Sequence, residues 1–186
     1  MLPLCKYNQI HLFQEGEYFM RPRLTQRLPK LTQNLFLLAF SATLLLMSGC
    51  RQDQNRPLII FPSGETIELE IAITAQEQMN GLSHRKIGDF PKNRGMLFYY
   101  DTPGLRQFWM PNTHFDLAII FLDQDFKVLA YENPVPHHPS RQEPIPRTQR
   151  YWAHHVLEVR SDSPVVKELE KGIELKVKKL EYYLRR

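Results

Sequence analysis

The chain has 186 residues, 42% of them hydrophobic and 11% aromatic, with a formal net charge of +4. That length admits one domain of ~100–150 residues plus a leader, and the apolar share excludes wholesale disorder. The charge sits mostly in front of the domain: residues 1–50 carry five Lys/Arg against two acids, which leaves +1 for residues 51–186, so the clustered basic surface a nucleic-acid partner requires is missing.

The first fifty residues read as an address. From Met20 the chain is basic and free of acids, and Leu35–Met47 is then an apolar run of thirteen residues interrupted by Ser41 and Thr43. A helix needs ~20 apolar residues to span a bilayer, whereas a signal-peptide core needs only about 7–15. The ending Leu46-Met47-Ser48-Gly49-Cys50 resembles the lipobox of bacterial lipoproteins. Small side chains at Ser48 and Gly49 admit the processing enzyme. Diacylglycerol on the Cys50 thiol, followed by cleavage, makes Cys50 the first residue of an exported, lipid-anchored protein. Met47 departs from the usual Leu. Arg51, rather than Asp, follows the anchor, and by resemblance to lipoprotein sorting this implies the periplasmic side of the outer membrane. Residues 1–19 contain Glu15 and Glu17 and lie outside the leader pattern, so Met20 is an alternative start. The expected organisation is a leader over 1–49, a lipidated tether over 50–57 and one domain over 58–186.

The domain opens with a short strand over Leu58–Phe61, a turn at Pro62-Ser63-Gly64, and a strand over Thr66–Thr74 in which Ile67, Leu69, Ile71 and Ile73 alternate with mostly polar neighbours. Thr74-Ala75-Gln76-Glu77 has the spacing of a capping box, so a short helix should follow through Met79 and stop near Gly81. Gly95–Tyr100 is the next strand, and Gln107–Met110 is short and aromatic. Phe115–Leu122 is apolar except for Asp116 and should lie in the core. After the turn Asp123-Gln124-Asp125 the chain returns over Lys127–Tyr131.

Residues 133–146 hold five prolines, a density no strand ladder tolerates, and are expected to form an extended, mobile surface loop. Tyr151–Arg160 resumes as a strand. Ser163, Pro164 and Gly172 frame a helix, and Ile173–Val177 closes the domain. The expected fold is mostly β (α+β): a compact β-sandwich or barrel-like domain with one or two short helices.

Four stretches stand in a familiar order: Gly81-Leu82-Ser83-His84-Arg85, Gly95-Met96-Leu97-Phe98, Phe108-Trp109-Met110-Pro111-Asn112-Thr113 and Val156-Leu157-Glu158-Val159. Together they resemble the bacterial and archaeal family called domain of unknown function 192, over roughly Phe61 to Val177. The resemblance implies a compact, mostly β domain, often exported, and supplies no substrate, cofactor or catalytic residue. Two positions depart from the family pattern. Ser83 stands where Met is common. The acid usually found after Asn-Thr-x-x-Pro-Leu is here Asp116, two residues early.

Trp109, Met110, Asn112, Thr113 and Asp116 form the strongest candidate constellation, an aromatic wall with amide, hydroxyl and carboxylate groups at its mouth, suited to a small polar ligand or a glycan. The alternative reading makes the same residues scaffold, with Trp109 and Met110 in the core and Asn112, Thr113 and Asp116 on turn backbone. Arg85 is expected either to pair with Asp116 or an anionic ligand, or to stand in solvent.

No metal or other cofactor is expected. Both cysteines, Cys5 and Cys50, precede the domain. No His-Glu-x-x-His spacing occurs, and His154 and His155, adjacent in a strand, should point to opposite faces. Glu68 and Glu70 read as the wet face of a strand. Three functions remain open: a binding or accessory module at the cell envelope, an envelope hydrolase using Asp116 with a His, and a purely structural envelope protein.

Overall fold

A computed structural model describes residues 56–185. Contacts divide the chain into Met1–Arg51 and Gln52–Arg186, and every described residue belongs to the second unit. The lipobox and Cys50 lie outside the described residues. Among those residues no helix is long and apolar enough to cross a membrane.

The strands are β1 (Leu58–Ile60), β2 (Thr66–Ala72), β3 (Arg94–Phe98), β4 (Gly104–Arg106), β5 (Leu117–Leu122), β6 (Val128–Val135), β7 (Tyr151–Ala153), β8 (His155–Arg160) and β9 (Lys176–Lys178). The helices are α1 (Ala75–Asn80) and α2 (Leu180–Leu184), with 3-10 turns at Ile87–Asp89 and Pro164–Glu168. Seven strands make one sheet in the order β6-β5-β8-β3-β2-β1-β9, and β4 pairs with β7 in a separate ribbon. Among the described strands only β2 and β3 run parallel to each other. A parallel pair needs a crossover, and α1 with the Ile87–Asp89 turn supplies it.

The sheet curls into a half-barrel. Its two ends meet where the chain entering β9 reaches the start of β6: Val128 N–H donates to Ile173 O, Gly172 N–H to Val128 O and Leu175 N–H to Phe126 O. The alternation of each strand then splits the apolar residues into two cores. Ile67, Leu97, Ile120 and Leu157 fill the inside of the curl, while Phe98, Ile119, Phe121 and Val156 face the outside. That outer face is covered by the loops after α1 and β4. β5 therefore has both faces covered, which is why its sequence is a continuous apolar run rather than an alternating one.

The local signals resolve as expected at α1. Thr74 Oγ1 accepts from Glu77 N–H at 3.2 Å, and Glu77 Oε2 accepts from Thr74 N–H at 2.9 Å. The helix ends at Gly81, whose φ of +46° suits glycine. β2 stops at Ala72, sooner than its alternation suggests, because the cap begins at Thr74.

Three expectations need correction. β6 runs through Pro134 to Val135. A proline fits there because β6 has no second strand beside it at that end, and the β5–β6 register shifts between Leu117 and Ile119. The rest of the proline-rich segment is not a free loop. Met110 N–H donates to Pro146 O, Asn112 N–H to Ser140 O and Thr113 N–H to His138 O, and Val135 and Ile145 are buried. Five prolines remove donors but leave every carbonyl, and those carbonyls accept from the Trp109–Thr113 segment.

Tyr151–Arg160 breaks at His154 into β7 and β8. At that break the rings of His154 and His155 lie 4.5 Å apart instead of on opposite faces, because His154 is not part of a strand. Ser163, finally, makes no side-chain cap. Its hydroxyl donates to Lys92 O at 2.6 Å, and the helix expected behind it is only a 3-10 turn.

Candidate functional site

The strands place one acid where an apolar residue would be expected. Glu158 of β8 lies between Met96 of β3 and Ile119 of β5 in register, on the outer face of the sheet. Two covering segments close over it. One is the end of α1 with Gly81, Leu82 and Ser83. The other is Phe108–Thr113. Between them lies a cavity of about 40 Å³, enough for about three waters at ~10–15 Å³ each. Phe98, Phe108, Trp109 and Met110 line it as apolar walls, and Glu158 forms part of its floor.

Glu158 is 4% exposed, and its Oε2 is buried without a hydrogen-bond partner. Burial pushes its carboxyl up to about 8, because the charged form loses its hydration and gains no counter-ion. Gly81 is positioned by this floor. A Cβ there would stand 3.3 Å from Phe98 Cζ and 4.0 Å from Glu158 Oε2.

The Trp-Met-Pro-Asn-Thr segment is the roof of this cavity, and most of its polar groups hold the roof together. Ser83 Oγ donates to Pro111 O at 2.9 Å. Asn112 takes φ +53°, a left-handed conformation that Asn tolerates better than most residues. From there its carbonyl accepts from His84 N–H at 2.8 Å, and its side-chain Nδ2 meets His84 Nε2 at 3.2 Å. Thr113 is buried and its hydroxyl donates to Met110 O. Asn112 and Thr113 thus tie the α1 loop, the roof and the proline-rich segment together. Trp109 stays 47% exposed at the mouth, with the Arg147 guanidinium 5.8 Å from its ring centroid.

Asp116 and Arg85 are not part of this arrangement. Asp116 Oδ1 accepts from His137 N–H at 2.8 Å and lies 2.6 Å from His137 Nδ1. The His137 backbone hydrogen bond, followed by the contact with its ring, holds the Asp116 carboxyl below its usual range. The pair borders a separate, open hollow of about 350 Å³ with Phe115, Arg160 and Asp162. A carboxylate on Nδ1 orients an imidazole with Nε2 free for proton transfer. The other charges of the hollow neutralise each other: Arg160 Nε and Nη2 donate to the two oxygens of Asp162, both at 2.8 Å.

Arg85 does not reach Asp116. Its Nη2 donates to Glu70 Oε1 at 2.5 Å, and Arg94 links Glu70 to Glu68 at 3.8 and 3.6 Å. Glu68 and Glu70 are therefore half-buried members of an ion-pair network rather than a wet face. Among the described residues no group of three His, Cys, Asp or Glu is placed to hold a metal ion.

Glu158 is the functional candidate that sequence reasoning passed over. The signal was present: His155-Val156-Leu157-Glu158-Val159-Arg160 carries apolar residues at successive positions, the mark of a strand covered on both faces, and a lone acid in such a strand has nowhere to be solvated. His155 carries a similar signal. It stacks between Tyr99 and Phe126, with ring centroids at 4.5 and 4.9 Å, and its Nδ1 accepts from Tyr100 N–H at 3.4 Å. Burial first, then His154 and Arg106, lower its pKa to about 4.

Comparison with solved structures finds two proteins of the same fold. One is a candidate transcription regulator from Sinorhizobium meliloti 1021, 25% identical, with a TM-score of 0.53 over 67% of this chain and 94% of that one. The other is a protein of unknown function from Novosphingobium aromaticivorans DSM 12444, also 25% identical, with a TM-score of 0.53 over 65% of this chain and 83% of that one. No curated protein matches the chain. The family model described as "Uncharacterized ACR" matches residues 58–177, which span the sheet from β1 into β9 and include Glu158 and the whole roof of its cavity. This chain therefore belongs to the domain of unknown function 192 family, DUF192.

Proposed function

We propose that this protein is an exported, lipid-anchored module of the cell envelope that binds a small polar ligand in the cavity between Trp109 and Glu158. The observation that carries the binding reading is the unpartnered Glu158 carboxyl at the cavity floor. A buried polar group without a partner costs roughly 1–3 kcal/mol, and an apolar side chain in a structural protein would avoid that cost. The cost is understandable if a ligand supplies the missing partner. The interior is smaller than a pyranose ring, so a small ligand suits it better than a glycan. The name given to the Sinorhizobium protein belongs to that protein, and the near-neutral balance of residues 51–186 offers no parallel for DNA binding.

The anchor rests on the lipobox-like run ending at Cys50 and on the seven-residue polar tether, Arg51–Pro57, before β1. Cells fed a palmitate analogue are expected to label the protein, and Cys50→Ser is expected to remove the label and release the protein from the outer-membrane fraction. Labelling that persists in the variant, or recovery chiefly with the inner membrane, defeats the anchor as stated.

The cavity has its own test. The chain has two tryptophans, Trp109 at the mouth and Trp152 on the exposed face of β7. With ¹⁵N-labelled tryptophan in the full chain, in detergent, a ligand of the cavity is expected to move the Trp109 indole signal and leave that of Trp152 in place. If no member of a library of small polar compounds moves Trp109, the cavity is not a binding site.

A further inference from the structure

Three of the polar side chains that line the cavity have their donors already committed to backbone carbonyls. The Ser83 hydroxyl gives its hydrogen to Pro111 O and the Thr113 hydroxyl gives its own to Met110 O. The Gln78 amide nitrogen is directed at three backbone carbonyls, Ala72 O, Ile73 O and Tyr99 O, at 3.3, 3.1 and 2.9 Å. What these hydroxyls retain is lone pairs, and Glu158 adds a carboxyl with an unpartnered oxygen. Among the described residues no Lys, Arg or His lines the cavity, and Arg147 stays outside it beside the Trp109 ring, so an anion inside meets no counter-charge. Phe98, Phe108 and Trp109 complete the walls, and the faces of such rings attract cations. An acceptor-rich cavity with one unpaired acid and aromatic walls fits a ligand group that only donates and carries positive charge. An ammonium has three donors and no acceptor.

Size narrows the choice. An interior of about 40 Å³ takes about three waters, which is room for the end of an alkylammonium and too little for a quaternary ammonium with its methyl groups. We infer that the cavity receives a primary ammonium group, –CH2–NH3+, with Glu158 as its counter-ion, the Ser83 and Thr113 oxygens as further acceptors, and the alkyl stem passing Phe108 and Trp109 to the mouth. This inference rests on the reading of the cavity as a ligand site and names the chemistry of its occupant. Such a group is found on free amines, on lysine side chains and on ethanolamine headgroups.

The experiment is a titration of the Trp109 indole signal of the full chain in detergent at about pH 8.5, above the value of about 8 for the Glu158 carboxyl and below the roughly 10.4 of an alkylammonium, with four groups of probes. n-Propylammonium is expected to move the signal saturably. 1-Propanol, the neutral isostere, is expected to bind at least about tenfold more weakly, about 1.4 kcal/mol, and tetramethylammonium to leave the signal in place. Nα-Acetyl-lysine amide and phosphoethanolamine form the last group, and the tighter of the two identifies the source of the amine. Glu158→Gln is expected to abolish the preference for n-propylammonium over 1-propanol, with the Trp152 signal unchanged as the mark of an intact fold.

Equal binding of propanol and propylammonium overturns the charge assignment while leaving the cavity a binding site. Tetramethylammonium binding as well as propylammonium overturns the size argument. Silence of Trp109 towards all of these amines overturns the inference, and silence towards the wider library as well overturns the binding reading on which it rests. The isostere comparison uses the native chain, so the inference stands or falls even if the variant does not fold.

Discussion

Glu158→Gln is expected to make the folded domain more stable above neutral pH, by roughly 4 kcal/mol near pH 8, since each unit of pKa shift is worth about 1.4 kcal/mol. Burial raises the folded-state carboxyl from 4.5 to about 8. Between those values the folded chain holds a proton that the unfolded chain has released, so stability is greatest below the lower value and falls as pH rises through the upper one. Glutamine keeps the shape of the protonated acid and does not ionise. Urea unfolding of both proteins at about pH 5 and pH 8 should show a fall for the native chain and none of comparable size for the variant. Parallel behaviour of the two proteins would mean that Glu158 reaches water or a partner in the fold. A primary amine at saturating concentration should offset part of the loss at high pH, because it binds only the folded state.

His155→Phe is expected to remove the opposing dependence on the acid side. Burial between Tyr99 and Phe126, with His154 and Arg106 adding repulsion, lowers the folded-state His155 from 6.5 to about 4. Its contribution is present above 6.5 and is lost as pH falls towards 4, by about 3 kcal/mol in all. From about 4.5 to 6.5 the slopes of Glu158 and His155 have opposite signs and nearly cancel. The native chain should therefore show a plateau there and a decline above it.

Phenylalanine retains the stack and loses the acceptor for Tyr100 N–H, at about 1 kcal/mol. The stability of that variant should fall continuously with pH from about 4.5 to 8. The Glu158→Gln variant should instead gain stability from about 4 to 6.5 and then level off. The other shifted carboxyls, Glu77, Asp116 and Asp162, are all lowered, so what they contribute is lost only below about pH 4.5. A plateau that persists in the His155 variant would place the ring in contact with solvent.

The parts of the fold legible in the sequence are those whose cause is local. The alternation of Ile67, Leu69 and Ile71 produced β2. The Thr74–Glu77 spacing produced the capping box and the start of α1. The run from Leu117 to Leu122 marked a strand with no wet face. Each follows from neighbours within a few residues, through the periods of strand and helix or through a cap. The family motifs were legible for the same reason, as short strings, and the family model spans the sheet they build.

Tertiary structure decided everything that depends on what lies across the sheet. The proline-rich segment contains no internal ladder, and nothing in its own residues reveals that Met110, Asn112 and Thr113 donate to its carbonyls. Asp116 and Trp109 are only seven positions apart in the sequence, but the turn at Asn112 separates them into different hollows, and the partner of Asp116 comes from twenty-one positions away. Arg85 found Glu70 for the same reason.

The class of fold, most of the strands, the cap of α1 and family membership follow from the amino-acid sequence, because hydrophobic period and short-range hydrogen bonding are properties of the chain. The burial of Glu158 beneath a roof made by two distant segments exists only in the folded chain, because the ionisation of a carboxyl is set by the water and charge around it, and both are removed by residues far away in the sequence.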